Sequence, residues 1–106
     1  MAWLMVVVAG LLEMIWSYSA KQSDGFSRYG WAGLTIVSSL ISFFLLTFSL
    51  RTLPLGTAYA VWTGIGAVGS FVLGIVLLGE SVGPWRVASG VLIVAGVVGL
   101  RLTSPE

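Results

Sequence analysis

Residues 52–79 read TLPLGTAYAVWTGIGAVGSFVLGIVLLG, 28 positions without a single charged side chain. Within them Gly64, Gly66 and Gly69 stand in the spacing G-x-G-x-x-G. That spacing marks a dinucleotide-binding turn only when a strand precedes it, a helix follows, and an acidic residue waits about 20 residues on. Here GTAYAVW continues a helix-length apolar run, and the next acidic residue, Glu80, comes too early for a ribose contact. A nucleotide site is therefore excluded. The uninterrupted length is what a membrane span demands, about 20 apolar residues. In such a helix the three glycines allow close packing and a bend, the expected hinge of the third span.

The rest of the chain repeats the pattern. Of its 106 residues 58% are hydrophobic and 8% charged, with a mean hydropathy of +1.04. A soluble domain carries about 25% charged residues, so these charges cannot cover a water-facing surface. Charges instead punctuate four apolar segments, giving expected helices at roughly 3–20, 29–50, 55–78 and 84–102 within one domain, 1–106. The last is completed by a snorkelling Arg86 and a first-turn Pro84. The connections KQSDGFSR, RTLPLG and GESVGP hold Gly or Pro where helices stop. The fold expected is an all-α membrane protein with four transmembrane helices. Residues 1–20 read as its first helix and not as a cleaved leader, since a basic n-region is lacking and Glu13 interrupts the apolar stretch.

Composition excludes much chemistry. There is no Cys and no His, hence no thiol chemistry, disulfide or usual zinc site. A net charge of +1 gives no reason to expect nucleic acid. No nucleophile–base pair, metal cluster or phosphate loop stands out, so neither an enzyme nor a cofactor is expected.

Orientation follows the Lys/Arg bias of short loops. Arg51 and Arg101 fall on the side of the N-terminus, and Lys21, Arg28 and Arg86 on the other. With the terminal amine added the bias vanishes. Insertion both ways round, and with it an antiparallel dimer, is the expectation.

Glu13 is the most informative residue. Ten residues past Trp3, at about 1.5 Å each, it lies near the middle of a layer about 30 Å thick. An ionisable group at that depth marks an ion or proton pathway by default; the plainer role is a protonated carboxyl gluing two helices. Its neighbours at helical spacing are Ala9, Gly10, Trp16 and Ser17. The second segment offers Thr35, Ser38, Ser39, Ser42 and Ser49, and the third Gly56, Tyr59, Trp62, Thr63, Gly66 and Gly69. Hydroxyls also serve as helix–helix glue, the expected role of Ser38 and Ser39, whereas Ser42 shares the depth of Glu13. Trp16, Tyr59 and Trp62 can present ring faces to a cation, and their polar groups can orient Glu13. Trp3, Trp31 and Trp85 sit at segment ends, as an interfacial belt requires. Desolvation favours the neutral form of a carboxyl and a bound cation the charged one. One residue thus holds either a proton or a cation, which is the logic of an antiporter. Four helices enclose little volume, so two chains, each with its Glu13, are expected to share the pathway.

Glu13-x-x-Trp16, Lys21-x-Ser23-x-Gly25-Phe26-x-Arg28 and the block Leu53-Pro54-x-Gly56-Thr57-Ala58-Tyr59-Ala60-Val61-Trp62-Thr63-Gly64-Ile65-Gly66, with the Gly-rich fourth segment, resemble the small multidrug resistance family over essentially the whole chain. Trp16 and the Trp62-Thr63-Gly64 run are similar to its guanidinium-exporter branch. The resemblance implies proton-coupled export of guanidinium or a close relative, with Glu13 as shared proton and substrate site. It implies that Trp16, Ser42, Tyr59 and Trp62 line the pocket or orient the carboxylate. It also implies a fourth-helix seam of Ser89, Gly90, Gly96 and Gly99 between protomers, and an antiparallel homodimer in the inner membrane. A paired partner chain stays open, since some relatives assemble as heterodimers. Guanidinium suits the site physically, because its N–H groups pair bidentately with a carboxylate. Ser17-Tyr18-Ser19-Ala20 is more polar than the family pattern, and Tyr18 is expected to project toward lipid, a headgroup or the access route. A broader exporter of quaternary ammonium cations, a rotary-ring proteolipid and a non-transporting scaffold remain the alternatives.

Overall fold

A computed structural model describes residues 1–103; residues 104–106, the end of the expected domain, lie outside the described residues. Four helices follow in order: α1 (Ala2–Gln22), α2 (Tyr29–Ser49), α3 (Leu55–Leu78) and α4 (Pro84–Thr103). Each is long and apolar enough to cross a membrane. Local chemistry sets their ends. After α1 the chain reverses through Asp24, Gly25 and Phe26 with φ of 50°, 70° and 67°. The Ser23 hydroxyl steadies that turn, donating to the Ala20 carbonyl at 2.7 Å and accepting the Phe26 N–H at 3.1 Å. Pro54, extended at φ −60° and ψ 145°, precedes α3. Gly79 closes that helix in the left-handed region at φ 68°, and the Glu80 N–H returns to the Gly74 carbonyl at 3.0 Å. This closure satisfies a carbonyl that the helix end leaves free. Pro84 opens α4, where its missing N–H costs nothing.

Packing is uneven. α1 lies against both α2 and α3, whereas α4 packs along α3, reaches α1 where Arg101 lies over the Trp3 ring, and buries no residue. The apolar core gathers at the N-terminal end of α1, from Ala2, Val6 and Ala9 with Leu46, Leu53, Ala58 and Val61. The molecule measures 43 × 34 × 16 Å, a slab little thicker than one helix with its side chains. In lipid, close approach between helices replaces the hydrophobic effect as the cohesive force. The α1–α3 seam meets that demand with glycine. A Cβ on Gly10 would sit 2.7 Å from the Ile65 Cβ, and one on Gly69 would run into Met14.

Most α2 hydroxyls are satisfied within their own helix. Ser38 donates to the Leu34 carbonyl (2.5 Å), Ser39 to Ile36 (3.0 Å), Thr47 to Phe43 (2.9 Å) and Ser49 to Leu46 (2.6 Å). Two reach across. Thr35 donates to the Ser19 hydroxyl at 2.9 Å, and Ser42 donates to the Ala9 carbonyl at 2.6 Å.

Candidate functional site

Glu13 projects from α1 into the seam with α3, where Gly66 makes room for it. A Cβ at Gly66 would lie 2.5 Å from both Cδ and Oε2 of the carboxyl. Oε2 is buried and meets no hydrogen-bond donor among the described residues. An unpaired buried acceptor costs about 1–3 kcal/mol, so this oxygen is an unmet chemical need within the seam. One turn toward the N-terminus, Ser42 binds three helices together. It donates to Ala9 of α1 while accepting the Trp62 indole N–H at 2.9 Å. Ala9 precedes Glu13 by four residues and Trp62 precedes Gly66 by four, so this cluster sits about 5–6 Å along the same seam. The Tyr59 ring meets Trp62 edge-to-face at 5.5 Å, its side chain largely exposed. Ser42, Tyr59 and Trp62 therefore form one connected group beside Glu13. Trp16 is half-buried on α1 and enters none of these hydrogen bonds.

The three glycines of α3 serve different neighbours. Gly66 and Gly69 face α1, against Glu13 and Met14, while Gly64 faces Val97 of α4. α3 is one continuous helix through all of them. On α4, Gly96 and Gly99 face open space, Gly90 packs on the Phe71 ring, and the exposed Ser89 donates to the Trp85 carbonyl at 2.8 Å. Gly96 and Gly99 line an open groove of about 570 Å³ with Gly64, Ile93 and Leu100.

Two polar links along α1 beyond Glu13 were not anticipated. The Ser17 and Ser70 hydroxyls share a 2.5 Å hydrogen bond between α1 and α3, one turn beyond Glu13. Ser19, wholly buried, accepts from Thr35. The extra polarity of residues 17–20 is thus spent on helix contacts, and Tyr18 packs edge-to-face on Trp31 at 5.8 Å. Ser70 lies four residues after Gly66, a spacing that could have placed it on the same stripe.

A carboxyl with a free oxygen in a helix seam, flanked by a Ser–Trp–Tyr group, is found here on a chain that matches the Small Multidrug Resistance protein model over residues 1–93. The chain belongs to the small multidrug resistance family. Relatives in this family cover it almost end to end. The protein named guanidinium exporter from Yersinia pseudotuberculosis serotype I (strain IP32953) is 56% identical over 104 residues, 98% of this chain and 100% of its own. The guanidinium exporters of Escherichia coli (strain K12) and Salmonella typhimurium (strain LT2) are each 51% identical over 104 residues, 98% of this chain and 99% of theirs. With four apolar spans, this small multidrug resistance protein is a multi-pass membrane protein.

Proposed function

We propose that the chain exports guanidinium and small substituted guanidinium cations in exchange for protons, with Glu13 as the site for which the two compete. The observation that carries the proposal is the buried Oε2 of Glu13, held against Gly66 with no donor of its own. A proton satisfies that oxygen, and so does the planar N–H fork of a guanidinium. Because one carboxylate takes only one of them at a time, entry of the proton releases the cation. Ser42 and Trp62 hold the neighbouring turn of the seam, and Tyr59 and Trp16 supply aromatic faces near it. The names of the 51–56% identical relatives support guanidinium as cargo.

The working unit we propose is an antiparallel homodimer in the inner membrane. Its support is the slab shape, the unburied α4, the open faces of Gly96 and Gly99, and a Lys/Arg balance that favours neither orientation. Two slabs facing each other enclose a pathway that one leaves open, with a Glu13 from each side. Ser89 and Gly90 extend that seam, and Gly64, Gly66 and Gly69 form the hinge by which α3 alternates between sides.

The test uses purified protein in liposomes with an imposed proton gradient. Guanidinium should move against the proton flow in the parent chain and cease in Glu13→Gln. Equal transport by Glu13→Gln would end the shared-site mechanism. Movement of tetraethylammonium but not guanidinium would reassign the cargo to quaternary ammonium cations. No cation flux from the parent chain would leave the scaffold reading.

A further inference from the structure

A second cluster of charge lies at the membrane boundary, outside the site just described. Between α1, α3 and the start of α4 opens a cleft of about 370 Å³, lined by Ser17, Lys21, Ser70, Phe71, Glu80 and Arg86 among others. Its inner end is the Ser17–Ser70 hydrogen bond, one turn from Glu13. Its outer end is the carboxylate of Glu80, folded back onto α3 so closely that a Cβ on Gly74 would collide with Oε1. That is the C-terminal end of α3, where helix carbonyls already carry partial negative charge. A carboxylate there adds negative charge to negative charge, and the position favours a cation. Among the described residues no Lys or Arg nitrogen comes within 4.0 Å of a carboxylate oxygen. The Arg86 guanidinium lies instead over the Phe71 ring, 5.1 Å from its centroid. The cleft therefore already holds a guanidinium, tethered to the protein's own chain.

The geometry points to an outer station for guanidinium-class cations, made by the Glu80 carboxylate and the Phe71 ring and occupied at rest by Arg86. The station deepens the exporter reading and rests on it for the identity of the cation. A free guanidinium displaces Arg86 from Phe71, pairs with Glu80, and stands at the mouth of the cleft that leads to Ser17 and Ser70, one turn from Glu13. Arg86 acts as a competing gate: it gives way to a cation of its own shape, and a round, strongly hydrated ion gains less from the ring and the fork.

The test is a binding measurement on the full-length chain in zwitterionic micelles, carrying Glu13→Gln to remove the inner site. Guanidinium chloride, titrated against sodium chloride at matched ionic strength, should shift the Gly74, Gly79 and Glu80 amides and the Arg86 Nε signal saturably. Adding Glu80→Gln should abolish saturation. Phe71→Leu should weaken binding about two- to fivefold, as loss of an exposed cation–π contact does. Arg86→Gln should tighten it by up to about tenfold, because a competing occupant lowers apparent affinity by the fraction of time it is seated. Sodium shifting the same signals equally, or guanidinium shifts indifferent to Glu80→Gln, overturns the station. So does a response of Lys21 and Arg86 to anionic phosphatidylglycerol with none to guanidinium, which would make the cleft a lipid headgroup site. An exporting parent chain without the station leaves the exporter reading intact. A guanidinium-saturable station in a chain that exports no guanidinium overturns that reading alone.

Discussion

A single methyl group at Gly66 probes how Glu13 is held. In Gly66→Ala the new Cβ falls 2.5 Å from Cδ and Oε2 of Glu13 and 2.9 Å from Cγ. Ordinary contact begins near 3.4 Å, so the carboxyl must retreat by about 0.9 Å or α1 and α3 must part. Overpacking of this kind costs about 1–3 kcal/mol of fold stability. The larger effect falls on function, because misplacing a reacting group by about 1 Å costs roughly 100-fold. Proton-driven guanidinium flux in proteoliposomes should therefore drop about 100-fold, with thermal unfolding in micelles lower by about 4–8 °C for each kcal/mol lost. Gly33→Ala is the control, since a Cβ there meets nothing within 4 Å; it should transport as the parent does. Gly66→Ala transporting at the parent rate would show that the carboxyl's position against α3 is irrelevant to turnover.

Three further outcomes are expected. Ser42→Ala strands the Trp62 indole N–H and frees the Ala9 carbonyl, so guanidinium affinity should fall about tenfold, the scale of one orphaned donor; Trp62→Phe, which leaves the Ser42–Ala9 bond intact, should cost less in a binding titration. Ser17→Ala and Ser70→Ala should each lower unfolding stability in micelles, and a double-mutant cycle should return a coupling of about 0.6 kcal/mol, the mean for side-chain hydrogen bonds between membrane helices; a coupling of zero would remove the pair from the seam. Gly96→Leu and Gly99→Leu fill open space in the single chain, so helicity should persist while light scattering shows loss of the dimer; a dimer of unchanged strength would place the protomer contact elsewhere.

The spans were legible because Lys21, Arg28, Arg51, Glu80, Arg86 and Arg101 break the apolar runs, and lipid tolerates few charges in between. Glu13 stood out for the same reason, and Ser42, Tyr59 and Trp62 came forward by their depth and helical spacing. The destination of each hydroxyl was less legible. Ser17 finding Ser70, or Ser19 finding Thr35, depends on the register between two helices, which the residues of one helix do not contain. Ser38 and Ser39 looked like interhelical glue, yet each bonds its own turn, an option open to every helical serine. The glycines of α3 were read as one packing group. At 3.6 residues per turn Gly64 and Gly66 point about 200° apart, and they meet α4 and α1 respectively. Arg86 was expected to reach for headgroups, but Phe71 offers a ring within its reach.

The attachment of α4 carries a consequence for how the protein assembles. Among the described residues every side-chain hydrogen bond that crosses between helices, namely Ser17–Ser70, Thr35–Ser19, Ser42–Ala9 and Trp62–Ser42, joins α1, α2 and α3. All of these residues precede Pro84 in the chain. A released chain truncated after Gly79 should already hold these bonds, which cysteine cross-linking between positions 17 and 70 can detect in a chain with no native cysteine. Among the described residues the fourth span is tied to this three-helix unit by apolar and cation–π contacts alone. The least-anchored helix is thus the one left free to take a second neighbour once the other three have settled.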